Sequence, residues 1–201
     1  MKKALLIVFT KNPKLGKVKT RLAASVGDEK ALRIYQFLLD HTFQITRHLE
    51  FDKAVYYSDF MPANDVWKKY DFKQFLQTGA DLGEKMSNAF RSAFIRGYEK
   101  VVLIGSDCYE LDEKEILEAF EKLETKQVVV GPATDGGYYL IGADAYYPAL
   151  FENKQWSTAS VFNDTFQNIA DLNLTSHYLQ ELSDIDDLKD LMKHEDLFAM
   201  M

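Results

Sequence analysis

The sequence predicts an α/β fold: a single doubly wound, mostly parallel sheet carrying an antiparallel element. Two features predict it. Short runs such as Ala4-Leu5-Leu6-Ile7-Val8-Phe9 and Val101-Val102-Leu103-Ile104 are apolar at every position, as strands covered on both faces must be. Between them lie longer segments with apolar residues at helical spacing, and strand–helix alternation feeds right-handed crossovers between parallel strands. At 201 residues the chain fits one domain, 1–201, long enough to bury a core without covalent staples.

Taken in order, Ala4 to Phe9 is the first strand, and Thr10 to Leu22, broken by Pro13 and Gly16, is a loop. A helix follows from about Asp28 to Glu50, with Ala31, Tyr35, Leu38, Thr42, Ile45 and Leu49 on one face. Ala54 to Tyr57 is a second strand, Asn64 to Tyr70 a helical turn and Phe72 to Leu76 a third strand. Gly79-Ala80-Asp81-Leu82-Gly83 leads into a helix that stops near Gly97. The fourth strand, ending at Ile104, precedes a helix from Asp112 to about Leu123, where Asp112 and Glu115 have capping-box spacing. Val128 to Val130 and Tyr138 to Ile141 are strands too close together for a crossover helix, and therefore antiparallel. Ser157 caps a helix to about Ala170, Ser176 to Leu179 is a last strand, and Asp184 to Met192 a last helix.

Composition narrows the function. Net charge is −7, which disfavours a nucleic-acid partner. No apolar run approaches membrane-spanning length, and Met1-Lys2-Lys3 with the short apolar run after it is too brief for a signal peptide. The single cysteine, Cys108, fits a reducing, cytoplasmic setting. The histidines show no metal-ligand spacing, and no Cys/His zinc pattern or Ser-His-Asp arrangement stands out.

Against that acidic background, Lys11, Lys14, Lys17, Lys19 and Arg21 crowd the loop after the first strand, around Gly16. A glycine-bearing loop at a strand's carboxyl end, with basic side chains beside it, can hold a di- or triphosphate; a solvated basic loop is the plain alternative. It is not a P-loop, because Gly16-Lys17 lacks both the earlier glycine and a Ser or Thr directly after the lysine. Asp107 follows the fourth strand, where α/β sheets bind ligands, and can hold a divalent cation or merely cap the next turn. Asp135-Gly136-Gly137 is either a hairpin turn or a place for close ligand approach with Asp135 accepting from sugar hydroxyls. Gly79 and Asp81 form a helix entry or a ligand contact, and Trp156-Ser157-Thr158 a cap or a lip over the ligand. Asp186 sits at a helix start, where the macrodipole favours acids, and is a second candidate cation ligand if the segment folds back.

Six blocks together resemble a known family: Phe9 to Leu22, Gln77 to Met86, Ile104 to Cys108, Gly131 to Gly142, Trp156-Ser157-Thr158 and Asp184-Ile185-Asp186. They resemble the bacterial glycosyltransferase-A-like proteins known as DUF2064, themselves similar to molybdenum-cofactor and phospholactate guanylyltransferases. The resemblance implies a single GT-A-like nucleotide-binding domain and a transferase dependent on Mg²⁺ or Mn²⁺. Its partners would be a nucleotide or nucleotide-sugar donor and a small-molecule acceptor, with sugar transfer favoured over nucleotidyl transfer. Lys11, Gly16, Lys19, Arg21, Gly79 and Asp81 would then bind the nucleotide and its phosphates, and Asp107 and Asp186 the metal. Asp107 and Asp135 would be catalytic, and Asp135, Gly136, Gly137, Trp156, Ser157 and Thr158 would line the acceptor side. Two positions depart from the family pattern: Tyr109 stands where a proline is usual, and Asp187 where a threonine is usual. The Asp-x-Asp of many sugar transferases is missing too, since Cys108 and Tyr109 follow Asp107. These departures motivate an alternative, a non-catalytic regulatory module that binds a nucleotide or nucleotide sugar on the same fold.

Overall fold

Strand β1 (Ala4–Thr10) is buried from Leu5 onward, and its side chains divide between two hydrophobic layers. Leu6 and Val8 join a core with Phe43, Ile116, Ala119 and Phe120. Leu5, Ile7 and Phe9 point the other way, onto Met86, Ala89, Phe90 and Ala93. Alternation with a period of two, apolar on both faces, is why Ala4 to Phe9 has no polar residue in it. The computed structural model describes residues 3–198, so Met1 and Lys2 of the opening segment lie outside the described residues.

The remaining strands are β2 (Asp52–Tyr57), β3 (Phe72–Leu76), β4 (Lys100–Ile104), β5 (Val128–Pro132), β6 (Tyr138–Ala143) and β7 (Ser176–Tyr178). They form one seven-stranded sheet in the order β3-β2-β1-β4-β6-β5-β7. The helices are α1 (Thr20–Val26), α2 (Asp28–Thr46), α3 (Leu82–Ile95), α4 (Glu113–Lys122), α5 (Val161–Asp171), α6 (Leu188–Met192) and α7 (Glu195–Phe198). Side chains of α2 and α4 cover one face of the sheet, and those of α3 and α5 the other. No helix among the described residues is long and apolar enough to cross a membrane.

The antiparallel element is larger than the sequence implies. Strand β6 is inserted between β4 and β5 and runs antiparallel to both, whereas β5 pairs parallel with β7. The link at 133–137 is too short for a crossover, so β6 folds back beside β5 and its free edge completes the sheet against β4.

Several boundaries also move. Helix α2 ends at Thr46, short of Glu50: the Thr42 and Thr46 hydroxyls donate back to Leu38 and Thr42 carbonyls, and Lys53 Nζ donates to the carbonyls of Arg47 and Leu49. Thr20 to Leu22 is helical rather than loop, because Leu22 is drawn into a third core with Ile34 and Leu38. The helix expected from Ser157 starts only at Val161, since Ser157 is left-handed at φ 65°. The helix expected from Asp184 is α6 alone, capped by Asp187, whose Oδ1 accepts from the N–H groups of Lys189 and Asp190. The Asp112–Glu115 capping box and the left-handed Gly97 after α3 are as the sequence implies.

The third core fixes the path of the late chain. Ile185, fully buried, packs there with Leu22, Ala31, Ile34, Leu38, Leu191 and Leu197, pinning the segment around 183–187 beside α1 and α2. Ile185→Ala removes that anchor and is expected to lower stability by about 2–5 kcal/mol, read from urea unfolding.

Candidate active site

The sheet order reverses between β1 and β4: β2 and β3 lie beyond β1, and β6, β5 and β7 beyond β4. A crevice opens outside the carboxyl ends of strands at such a switch point. Here it is a cleft of about 640 Å³.

On the β1 side the chain is fastened before the basic residues are presented. The Tyr35 hydroxyl, from α2, accepts from Lys11 N–H at 2.9 Å and lies 3.0 Å from the Lys11 carbonyl and 3.4 Å from Ser106 Oγ. Gln77 Nε2 donates to the Thr10 and Tyr56 carbonyls, each at 3.0 Å. Val18 is buried, and Lys19 is left-handed at φ 46° and ψ 46°. Its side chain runs inward and is only 5% exposed, while Lys11, Lys17 and Arg21 stay exposed.

The Lys19 ammonium donates to Asp107 Oδ2 at 2.9 Å and to Asp186 Oδ1 at 3.0 Å. Arg21 Nη1 adds a longer contact to Asp186 Oδ2 at 3.5 Å. Asp107 arrives directly from β4 through Gly105-Ser106, and Asp186 arrives along an extended strap. Bonds that hold that strap include Ser183 N–H to Glu110 Oε2 at 2.7 Å, Cys108 Sγ to the Ser183 carbonyl at 3.8 Å, and Ile185 N–H to the Asp107 carbonyl at 3.4 Å. Tyr109, at the position of the family's proline, packs its ring against Phe37, His41 and His194, on the side of the third core.

Charge follows geometry. Burial acts to lower the Lys19 pKa, but Asp107 and Asp186 outweigh it and the ammonium is held more firmly than an ordinary lysine. For Asp107, burial acts upward and is overcome by Lys19 and, more weakly, Lys11, so the carboxyl stays ionised below its usual range. Asp184 differs: burial, and then the neighbouring Asp107 charge, push it up to about 8. Its Oδ1 is buried with no hydrogen-bond partner among the described residues. Among the described residues no three His, Cys, Asp or Glu side chains are grouped to hold a metal ion. The Asp107–Asp186 pair alone is a hard-oxygen donor set that already meets at one cationic atom. Mg²⁺ commonly needs no more protein ligands than that, with water and phosphate filling the rest.

Of the residues singled out from sequence, Lys11, Lys19, Arg21, Asp107 and Asp186 line the cleft. Asp135, Gly137, Trp156, Ser157 and Thr158 line the same cleft. Asp135 Oδ1 also accepts from Gly137 N–H at 2.8 Å, closing the turn between β5 and β6. The structure places Gly16, Gly79, Asp81 and Gly136 outside this lining. Gly16 makes a left-handed turn at φ 70° facing Asp28, and Gly79, at φ 144°, packs on Glu84 and Lys85. Asp81 caps α3 by accepting from Glu84 N–H at 2.8 Å. Gly136, at φ 88°, lies against the backbone of Ala159, where a Cβ would come within 2.3 Å of the Ala159 carbonyl oxygen. That contact, with Phe162 N–H donating to the Gly136 carbonyl at 2.8 Å, holds the Trp156–Ala159 segment over the cleft.

Sequence reasoning passed over Tyr35, Gln77, Ser106 and Asp184 as lining residues. Tyr35 carried a signal: a phenol on the buried face of a helix needs a partner for its hydroxyl. Asp184 carried one too, since Asp184 and Asp186 flank a fully buried Ile185 with the period of an extended strand.

Gly83 is a second close approach: a Cβ there would meet Trp156 Nε1 at 2.3 Å and the Phe151 carbonyl at 2.4 Å. Gly83→Ala is expected to cost about 1–3 kcal/mol and to loosen Trp156, raising its acrylamide quenching while buried Trp67 stays shielded.

With the geometry in hand, comparisons place the chain. The family described as "Uncharacterized protein conserved in bacteria (DUF2064)" matches residues 41–158. A crystal structure from Desulfovibrio desulfuricans G20, provisionally described as a nucleotide-diphospho-sugar transferase, is 30% identical and covers 100% of this chain and 94% of its own, with a TM-score of 0.88. The 4-diphosphocytidyl-2C-methyl-D-erythritol synthase of Anaerococcus prevotii is 12% identical, covers 98% of this chain and 99% of its own, and has a TM-score of 0.59. The inositol-1-phosphate CTP transferase of T. maritima, also 12% identical, covers 100% and 96%, with a TM-score of 0.58. No functionally curated protein matches the sequence. The likeness at low identity is one of fold alone, and the 30%-identical structure gives that fold as nucleotide-diphospho-sugar transferase-like. Matched over more than half its length by one family and over all of it by a 30%-identical structure, the chain belongs to the DUF2064 family.

Proposed function

We propose that this chain is a metal-dependent transferase acting on a nucleotide-activated donor, a nucleotide sugar in preference to a nucleoside triphosphate. One observation carries the proposal. At the sheet's switch point, a pair of carboxylates faces a cleft whose rim presents Lys11, Lys17 and Arg21. Carboxylates beside lysine and arginine suit a metal-chelated diphosphate, which needs both hard anionic ligands and cationic donors. The Desulfovibrio structure's description supports the sugar-donor preference, and the more distant cytidylyltransferases support nucleotide use in general.

In this reading Asp107 and Asp186 hold Mg²⁺ or Mn²⁺, which would supply charge neutralisation for a leaving diphosphate. Lys11, Lys17 and Arg21 bind the phosphate oxygens with charge-assisted hydrogen bonds, and that attraction strengthens as charge builds on the leaving group. Asp135, Gly137 and the Trp156-Ser157-Thr158 segment, which line the same cleft, would face the transferred group and its acceptor. Asp135 is exposed enough to accept from an attacking hydroxyl. Trp156 offers an apolar face and Ser157 and Thr158 offer hydroxyls, a combination that suits a small polar acceptor. A buried Cys108 thiol that is in no disulfide suits the cytoplasm.

The test is a thermal-shift and calorimetric screen of nucleotides and nucleotide sugars with and without Mn²⁺. A true ligand at 100 times its dissociation constant should stabilise the fold by about 2.7 kcal/mol. Asp107→Ala is expected to lose the metal-dependent part of that gain. Metal-independent binding that Asp107→Ala leaves intact would remove the metal role. Binding without transfer to any acceptor would instead identify a regulatory module.

A further inference from the structure

Four basic side chains line the cleft, and three of them, on Lys11, Lys17 and Arg21, are exposed where an incoming phosphate would find them. Lys19 is not. Its side chain is 5% exposed, behind carboxylates that are themselves 39% (Asp107) and 36% (Asp186) exposed to the cleft. The ammonium thus sits on the inner side of the pair, equidistant within 0.1 Å from an oxygen of each. Its backbone is held in the left-handed region, which a lysine adopts at a cost and which aims the side chain inward.

We propose that Lys19 is a resident counter-ion: it occupies the cation position between Asp107 and Asp186 and yields it to a divalent metal arriving with a diphosphate. The proposal rests on the metal-dependent reading of this site and adds how metal and donor are coupled.

Two arguments carry it. Carboxylates this close repel, and leaving either one unpaired in a partly buried site is costly, so without a metal some cation must hold them together. A lysine ammonium is a compact point charge with three donors and serves as one, bonding an oxygen of each carboxylate at once. The ammonium distances of 2.9 and 3.0 Å exceed an Mg–oxygen bond of about 2.1 Å, so exchange asks each carboxylate to move by less than about 1 Å. Displacement also has a direction. Metal alone must evict an ammonium that then has no partner. Metal with a diphosphate gives the evicted ammonium a phosphate oxygen to bond, so each ligand favours the other's binding, as linkage requires.

Calorimetry with MnCl₂ alone on nucleotide-free protein tests this directly. Lys19→Met is expected to bind Mn²⁺ at least tenfold more tightly than wild type, whereas Lys11→Met, which removes an exposed cation at the rim, gains no more than about threefold. Equal affinity for wild type and Lys19→Met, or the same gain for Lys11→Met, overturns the proposal while leaving the metal reading standing. Absence of Mn²⁺ binding in all three proteins overturns the metal reading, and this one with it. If circular dichroism shows Lys19→Met unfolded, acylation of Lys19 in the wild type decides, mapped by peptide mass spectrometry. Labelling that rises under saturating MnCl₂ supports displacement, and labelling that the metal leaves unchanged overturns it.

Discussion

The parallel pairing of β1 with β4, from Ala4 opposite Lys100 to Val8 opposite Ile104, is the constraint on which the site depends. From Leu5 opposite Val101 to Val8 opposite Ile104 both strands are apolar and buried, so no charged group can be placed along those rungs. The first positions free to carry charge come just past Val8 and Ile104. Lys11 to Arg21 and Asp107 leave the sheet there, side by side, because the sheet order diverges on either side of that pair. Burial thus does two jobs at once: it holds the domain together and decides where polar chemistry is allowed.

A second layer of organisation is electrostatic. Asp107, Lys19 and Asp186 come from three distant parts of the chain and meet at one nitrogen atom. Networks of this kind add little net stability, since desolvation offsets most of the attraction, but they penalise arrangements in which one member is missing. The third core around Ile185 supplies the stability that the ion cluster does not, and puts Asp186 within reach. Packing positions the strap and charge selects its register. Asp184, next to it, has one carboxyl oxygen sealed without a partner among the described residues, which fits its raised affinity for a proton.

Much of this was legible in the sequence, for identifiable reasons. Runs with every position apolar identify central strands without ambiguity, and Asp112 with Glu115 or Gly97 after a helix are local signals whose physics lies within a few residues. What escaped depends on distant partners. Leu22 extends a helix because Ile34 and Leu38 bury it, and α2 stops at Thr46 because Lys53 captures the carbonyls beyond. Nothing in the spelling of β6 says that it will lie beside β4 as well as β5. At the site, the basic loop and Asp107 could be read from their place after strands. That Lys19, unlike its neighbours, turns inward could not, because its direction is set by a left-handed backbone and by Asp186, which lies 167 residues away.

That separation has a consequence for the order in which the protein is made. Lys19 and Asp107 can meet once β1 and β4 have paired, but Asp186 belongs to a segment synthesised much later. At ribosomal rates of roughly 5–20 residues per second, Asp186 follows Asp107 out of the ribosome by several seconds, so for that time Lys19 has at most one of its two carboxylates to bond. Over that interval the rest of the cleft's lining, from Asp135 to Val161, is also still being made, and the second acid comes last. Any cation-binding property that needs both carboxylates therefore switches on late, after the strap has docked on the third core, and reports that the last part of the fold has closed.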